Sequence, residues 1–168
     1  MRRILAVLLE NEAGSLSRVA NLFSARGINI ESLAVTPTPD ETLSRMTIVT
    51  FGDDRILEQI TKQLHKLVDV VTVVDMTGQN HVEREMALIK LRLRDEGSVD
   101  DLQRVNKVYR GRIADVSALC YTSEVVGTSE EIDAYLAAMA EHEVVEVVRS
   151  GPLGIARGEQ VLSIRQNQ

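Results

Sequence analysis

The sequence predicts an α+β protein made of two successive units, each with the order strand–helix–strand–strand–helix–strand. Three observations indicate this fold class. Apolar runs and alternating patterns typical of strands are interleaved with apolar residues at the helical spacing i, i+3, i+4, i+7. The whole order occurs twice, and a polar break at residues 77–80 separates the copies. We therefore expect one domain over residues 1–77 and a second over residues 82–168, since roughly 70–80 residues suffice for a small domain.

The first unit opens with an apolar run over residues 3–9, which is typical of a central strand. Gly14 and Ser15 then begin a helical period that stops at Gly27, the residue type favoured just after a helix end. One face of this predicted helix carries Leu16, Val19, Ala20 and Phe23.

Two strands, a helix and a last strand complete the first unit. A change of parity at residues 31–32 predicts a β-bulge in the second strand. A strand over residues 46–51 follows, Gly52 and Asp53 cap a helix, and the β-branched run at residues 70–74 predicts the last strand. The predicted inner positions of this helix are Ile56, Ile60, Leu64 and Leu67.

The second unit repeats the order. Ser98 and Asp101 have the spacing of a capping box at the start of its first helix, and Gly127, Thr128 and Ser129 cap its second helix. The predicted strands cover residues 86–93, 113–116, 119–126 and 144–148, and the predicted inner helix positions are Leu102, Val105, Tyr109, Ile132, Tyr135, Leu136 and Met139.

This order is that of the ferredoxin-like fold, an antiparallel four-stranded sheet with both helices on one face. The other face of each sheet then lacks cover, although its residues include β-branched and apolar types. We therefore expect the chain to form at least a dimer. A Gly-rich tail begins at Ser150, and no pattern in it indicates a role.

Composition and charge exclude several classes of partner. The 168 residues have a net charge of −6 and only 3% aromatic residues. An acidic chain with few rings lacks the features of a nucleic-acid-binding surface and has no attraction for an anionic membrane. The single Cys120 forms no internal disulfide, which suits a reducing compartment. We expect a cytoplasmic protein with no nucleic-acid and no membrane partner.

The sequence offers few candidates for catalysis. None of His65, His81 and His142 has a partner at a recognised metal-ligand spacing, and Cys120 has no nearby His motif. The P-loop, G-x-S-x-G and G-x-G-x-x-G motifs are absent. We interpret His65 and His142 as ordinary helix residues, His81 as a solvated linker residue and Cys120 as a structural thiol. We therefore expect no catalytic residue, metal or cofactor in this chain.

One loop combines groups that suit a small ligand. Residues 11–15 lead into a helix N-terminus, where free N–H groups and the helix dipole attract anions, and Gly14 allows close backbone approach. Asn11 offers a donor and an acceptor, and Asn29 lies at the start of the second strand. An amino-acid zwitterion needs such groups. A plain capped helix start explains the same residues, so both interpretations stay open.

The stretch over residues 11–30, with Gly14, Gly27 and Asn29, resembles an ACT domain, a ferredoxin-like module that binds amino acids between paired copies. Further blocks resemble the small regulatory subunits of acetolactate synthase, and the resemblance covers almost the whole chain. These blocks are residues 29–33, 44–47, 63–70, 81–85, 133–136 and 149–151.

The resemblance implies a chain without chemistry of its own. Members of this family bind the catalytic large subunit of acetolactate synthase, raise its activity and confer feedback inhibition by a branched-chain amino acid, usually valine. The catalytic partner holds thiamine diphosphate, FAD and Mg²⁺ and condenses two pyruvates to 2-acetolactate, or pyruvate with 2-oxobutyrate. The resemblance places the effector at the interface of an ACT homodimer, on Asn11, Gly14, Ser15, Leu16, Asn29 and Ile30.

Other sites and functions are less well supported. Asp95 and Glu96 precede the helix of the second unit and suit a ligand carboxylate poorly, so we expect no second equivalent site. A free-standing double-ACT sensor of another enzyme or of transcription would share the ligand site and differ in partner. An acylphosphatase needs an Arg in a phosphate-cradling loop, and Arg18 lies a turn into the helix. An RNA-binding domain needs aromatic rings where Val7 and Ile48 stand.

Overall fold

The structure, a computed structural model, describes residues 1–93 and 96–162. It forms two compact units, the first comprising residues 1–82 with the segment from Leu153, and the second residues 83–152. Each unit contains an antiparallel sheet and two helices in the order βαββαβ, so the predicted α+β class and ferredoxin-like fold are confirmed.

In the first unit the sheet has the strand order β2-β3-β1-β4, with β1 in the interior and β2 at an edge. The interior strand is the most apolar, as its sequence predicts, because both of its faces are covered. The elements are β1 (Arg2–Glu10), α1 (Ser15–Ser24), β2 (Ile30–Pro37), β3 (Leu43–Phe51), α2 (Asp54–Leu64) and β4 (Val70–Asp75).

The first core lies between the sheet and its two helices. Val19 and Phe23 of α1 are buried in it, as predicted, but the prediction for Leu16 is wrong, because its side chain is 41% exposed. Leu22 is buried instead. The inward face therefore follows the spacing i, i+4, i+7, i+8 from Ser15, one of the alternatives that helical periodicity allows.

A β-bulge interrupts the edge strand β2 where the parity change predicted one. Ile30 pairs with Thr50 and Ser32 with Val49, so Glu31 is the extra residue. Past this point β2 and β3 pair regularly as far as Pro37 and Ser44.

The second unit has the strand path β6-β7-β5-β8. Its helix α3 begins at Glu96, so Ser98 lies inside the helix and the predicted Ser98–Asp101 cap is wrong. The cap at Thr128 is confirmed, with a reciprocal hydrogen bond to Glu131. The elements are β5 (His81–Arg92), α3 (Glu96–Val108), β6 (Arg112–Val116), β7 (Cys120–Gly127), α4 (Ser129–Ala138) and β8 (Glu143–Arg149).

A buried hydrogen-bond network fixes the second core. The Asn106 amide nitrogen donates to the Tyr121 hydroxyl at 2.6 Å, and its oxygen accepts from the Tyr135 hydroxyl at 2.6 Å. Ser123 Oγ lies 2.6 Å from the same Tyr135 hydroxyl. Burial raises the pKa of Tyr135 to about 12, so these hydroxyls stay neutral hydrogen-bonding groups.

An ion pair joins the two ends of the second unit's chain. Arg149 donates two hydrogen bonds to the buried Glu85 carboxylate, at 2.7 and 2.8 Å, and a third to Asp133 at 2.6 Å. Ser129 Oγ also donates to Glu85. The hydrogen bonds from Arg149 hold the pKa of Glu85 below its ordinary value.

The described part of the C-terminal tail from residue 153 to 162 groups with the first unit, although residues 82–168 were predicted as one domain. Its strand β9 (Leu153–Ala156) pairs with β5 and packs on the first sheet's face opposite the helices, where the Arg45 Nη2 donates to Gly154 O at 2.7 Å. A Cβ on Gly154 would lie 3.2 Å from Ile4 and Met76. The sequence predicted that this sheet face lacks cover, and a dimer was expected because a second copy would cover it. Since the tail covers the face in the first unit, this argument for a dimer is weaker. The covered apolar cluster consists of Ile4, Ala6, Val49 and Met76, with Val74 and Leu162 at its margin.

Among the described residues, no helix is long and apolar enough to cross a membrane.

We predict that Arg149→Met lowers the free energy of unfolding by about 2–3 kcal/mol at neutral pH, because it leaves the Glu85 carboxylate buried without its partner. The folded pKa of Glu85 is depressed, so the stabilisation is present above its ordinary pKa and disappears as pH falls through the folded value. The difference from the unsubstituted chain should therefore shrink below about pH 4.

Urea unfolding at several pH values measures this difference. Arg112→Met, at an exposed position of β6, is the matched control and should change stability little. An Arg149→Met effect that did not depend on pH would contradict the charge pairing.

Candidate functional site

The loop between β1 and α1 ends in an unusual helix start. Gly14 occupies the N-cap position with φ 95° and ψ −16°, in the left-handed region that favours glycine. A Cβ there would lie 3.0 Å from Arg18 Nη1. The backbone conformation therefore favours glycine at this position, and a larger residue would also displace the end of the Arg18 side chain.

Helix α1 begins without a side-chain cap, unlike two other helices of the chain. Asp53 accepts from Ile56 N at the start of α2, and Thr128 caps α4. Because Gly14 offers no side chain, the N–H groups of the first turn of α1 keep donor capacity. An anion binds best at such an uncapped helix N-terminus.

The Ser15 hydroxyl is a second feature of this helix start. Ser15 is 3% exposed, and its Oγ has no hydrogen-bond partner among the described residues. Its backbone N–H donates to Glu12 O at 3.2 Å. A buried hydroxyl without a partner costs stability, so its presence beside the uncapped N–H groups points to a ligand.

Three carboxylates surround the same loop. Atoms of Glu10, Glu12 and Asp69 lie within 4.8 Å of one another, and Asp69 pairs with Arg18. The hydrogen bond to Asp69 raises the pKa of Arg18. The loop therefore combines donors for a carboxylate with acceptors for an ammonium group. Sequence spacing did not indicate Asp69, because it is 51 residues from its partner along the chain.

Asn11 is engaged within the chain. Its Nδ2 donates to Glu41 O at 2.9 Å, and its Oδ1 accepts from Ser44 Oγ at 3.0 Å. Its backbone N–H donates to Thr42 O at 2.7 Å. Asn11 therefore links the end of β1 to the connection between β2 and β3 by hydrogen bonds. These bonds fix the conformation of the β1–α1 loop at this residue.

The other expected site residues lie at the opposite end of the sheet. Asn29 is exposed, and its carbonyl oxygen accepts from Thr50 Oγ1 at 2.6 Å. Ile30 pairs with Thr50, which pairs in turn with Arg3 of β1. From Arg3 to Glu10, β1 spans about 23 Å at ~3.3 Å per residue. One chain therefore does not bring Asn29 and Ile30 together with the β1–α1 loop.

The remaining candidates have local roles or lie outside the described structure. The Nδ1 of His65 lies 2.8 Å from Thr61 O, and the Nε2 of His142 lies 3.2 Å from Asp101 Oδ2. Cys120 is partly buried within β7. Arg94 and Asp95, in the loop that corresponds to residues 11–15, lie outside the described residues.

Comparison with known proteins gives consistent matches along the chain. Residues 5–72 match the model of the AHAS small subunit-like ACT domain, and residues 84–158 match that of the small subunit of acetolactate synthase.

Individual relatives agree. The chain is 53% identical over 163 residues to the acetolactate synthase isozyme 3 small subunit of Salmonella typhimurium, covering 96% of this chain and 99% of that protein. It is 53% identical over 161 residues to the acetolactate synthase small subunit of Haemophilus influenzae, covering 95% and 98%. The crystal structure of the Thermotoga maritima acetolactate synthase small subunit superposes with a TM-score of 0.85 at 36% identity, covering 95% and 99%.

We predict that Ser15→Ala leaves the free energy of unfolding unchanged or raises it by up to about 1 kcal/mol, because it removes a buried hydroxyl that has no partner. Ser44→Ala, at another buried serine whose hydroxyl donates to Asn11, should lower it by about 1 kcal/mol. Chemical unfolding of both variants makes the comparison. Equal losses would show that the Ser15 hydroxyl has a structural partner.

Proposed function

The chain belongs to the family of acetolactate synthase small subunits, which act in branched-chain amino-acid biosynthesis, and from that premise we propose its regulatory role. The chain binds the catalytic large subunit of the enzyme, raises its activity and makes it sensitive to valine. Both units match models of the same family, which favours this partner over another enzyme or transcription.

Under this proposal the catalytic large subunit carries out the reaction. The large subunit holds thiamine diphosphate, FAD and Mg²⁺ and condenses two pyruvates, while this chain acts in the cytoplasm without cofactor or metal. Its contribution is a coupling free energy between an effector site and the catalytic subunit, which is typically about 1–3 kcal/mol.

The uncapped start of α1 carries the proposal for the effector site. The ligand carboxylate accepts from the first-turn N–H groups and from Ser15 Oγ, whose hydroxyl lacks a partner in the described structure. Glu12 offers an exposed carboxylate to the ammonium group. Leu16, 41% exposed in the free chain, offers apolar contact to a branched side chain.

The site is completed by a second copy of the chain. Strand β2 is an edge strand, so its outward N–H and C=O groups are available for pairing with another β2. A two-fold axis makes the paired strands antiparallel and brings the start of one β2 to the far end of the other sheet. Asn29 and Ile30 of one copy then face the β1–α1 loop of its partner, and Asn11 positions that loop.

Reconstitution tests the function directly. The chain is mixed with a purified acetolactate synthase large subunit, and acetolactate production is followed with and without valine, leucine or isoleucine. The proposal predicts no activity from the chain alone, a higher rate for the mixture and inhibition by valine. A mixture that neither gains activity nor responds to any of the three amino acids would contradict it.

We predict that Gly14→Asp weakens valine inhibition about 10- to 100-fold while activation of the large subunit persists. The added carboxylate repels the ligand carboxylate, by about 4 kcal/mol at 4 Å and an effective dielectric of 20, and solvent and Arg18 reduce this to about 1.5–3 kcal/mol. Asp at position 14 would have to adopt the left-handed backbone conformation of Gly14, which adds a folding cost of about 1 kcal/mol.

Valine titrations of the reconstituted enzyme measure the effect. Gly78→Asp is the control, because it makes the same charge change at an exposed glycine whose added Cβ meets no atom within 4 Å. An inhibition curve for Gly14→Asp that matches the control would remove Gly14 from the effector site.

A further inference from the structure

A second pocket lies in the first unit, on the sheet face opposite the helices. It encloses about 490 Å³ between the sheet and the C-terminal tail. This volume falls within the usual range for small-molecule sites, about 300–1,000 Å³. Its apolar lining includes Ala6, Val74, Met76, Ile155, Val161 and Leu162.

Arg45 is the charged group of this pocket. It is half-buried, and its Nη2 donates to Gly154 O at 2.7 Å. Within the part of the chain that the structure describes, Arg45 forms no ion pair. A guanidinium has several N–H donors in one plane, matched to the two oxygens of a carboxylate. Among the described residues, Arg45 uses one of these donors in its bond to Gly154. Its charge is only partly solvated, and this burial lowers the pKa of Arg45.

The lining distinguishes this pocket from the proposed effector site. No Asp or Glu lies among its described lining residues, and its other polar members are Gln79 and Gln160. An amino acid would bring an ammonium group that meets no carboxylate there. A molecule with one carboxylate and an apolar body matches the pocket instead, because its single charge meets Arg45 and its hydrocarbon meets the apolar walls.

We propose that this pocket binds a small apolar monocarboxylate that lacks an amino group. The carboxylate pairs with Arg45, and the hydrocarbon part packs against Met76, Val74 and Ile155. Because Arg45 also holds Gly154 of the tail, a bound acid joins the sheet and the tail through one side chain. The site is separate from the start of α1, which lies on the helix-bearing face, and it does not depend on valine binding.

The shape of the pocket depends on which residue occupies position 154 of the tail. Gly154 packs against Ile4 and Met76 so closely that an added Cβ would lie 3.2 Å from both. A larger residue at position 154 would therefore force the ends of the Ile4 and Met76 side chains to shift, and the pocket depends on this close approach.

The probe is 3-methylbutanoate, titrated into the low millimolar range against the full chain, with 3-methylbutanamide as the uncharged analogue of nearly the same shape. Methyl NMR signals of Met76 and Ile155 report occupancy. We expect the acid to shift both signals and the amide to shift them at least ten times more weakly, because the amide has no charge to pair with Arg45. Equal shifts with the amide, or no shift with either compound, would overturn the proposal.

Two variants distinguish the contribution of the Arg45 charge to binding from that of the pocket volume. Arg45→Met should weaken binding of the acid about 10- to 100-fold, whereas Arg55→Met, at an exposed position of α2, should leave it unchanged. Ala6→Val narrows the pocket while keeping Arg45, and it should also weaken binding of the acid. If Arg45→Met fails to fold, Ala6→Val tests whether the acid binds in this pocket. Gly14→Asp should not affect binding of the acid, so this test and the valine test fail independently. Binding that survives both Arg45→Met and Ala6→Val would overturn the proposal.

Discussion

The length of β1 is the constraint on which the proposed effector site depends. This strand lies in the interior of its sheet, and seven of its nine residues are buried. It places the uncapped start of α1 at one end of the sheet and Asn29 at the other, about 23 Å apart at ~3.3 Å per residue. A ligand of amino-acid size cannot touch both ends of one chain. If both take part, the site belongs to two copies, and effector binding is linked to how they pair.

The described helix starts differ in how their polar groups are satisfied. Thr128 closes the start of α4 with a capping box, and Asn106 satisfies two buried tyrosine hydroxyls in the second core. Gly14 leaves the start of α1 open, and the Ser15 hydroxyl beside it has no partner within the described structure. An uncapped helix start beside a buried hydroxyl that lacks a partner is where a ligand is expected.

Local patterns in the sequence predicted most of the elements, including the bulge at Glu31 and the cap at Thr128, because these depend on residues close together along the chain. The prediction for Leu16 was wrong because helical periodicity fixes a face only to within about one residue. The prediction for Ser98 was wrong because a capping spacing locates a helix start only to within about two residues. Contacts between distant residues could not be predicted. Arg45 and Gly154 are 109 residues apart, so neither the place of the tail nor the pocket beneath it has a local signal.

A mixing experiment tests the shared site most directly. Asn29→Ala removes an exposed amide and Gly14→Asp alters the loop, so neither chain alone should give full valine inhibition. A dimer with one chain of each kind retains one intact site, formed by the loop of the Asn29→Ala chain and by Asn29 of the Gly14→Asp chain. Co-refolding equal amounts should therefore restore about one quarter of the valine sites by calorimetry, since half of the dimers are mixed. No restoration beyond the two separate variants would contradict a site built from two chains.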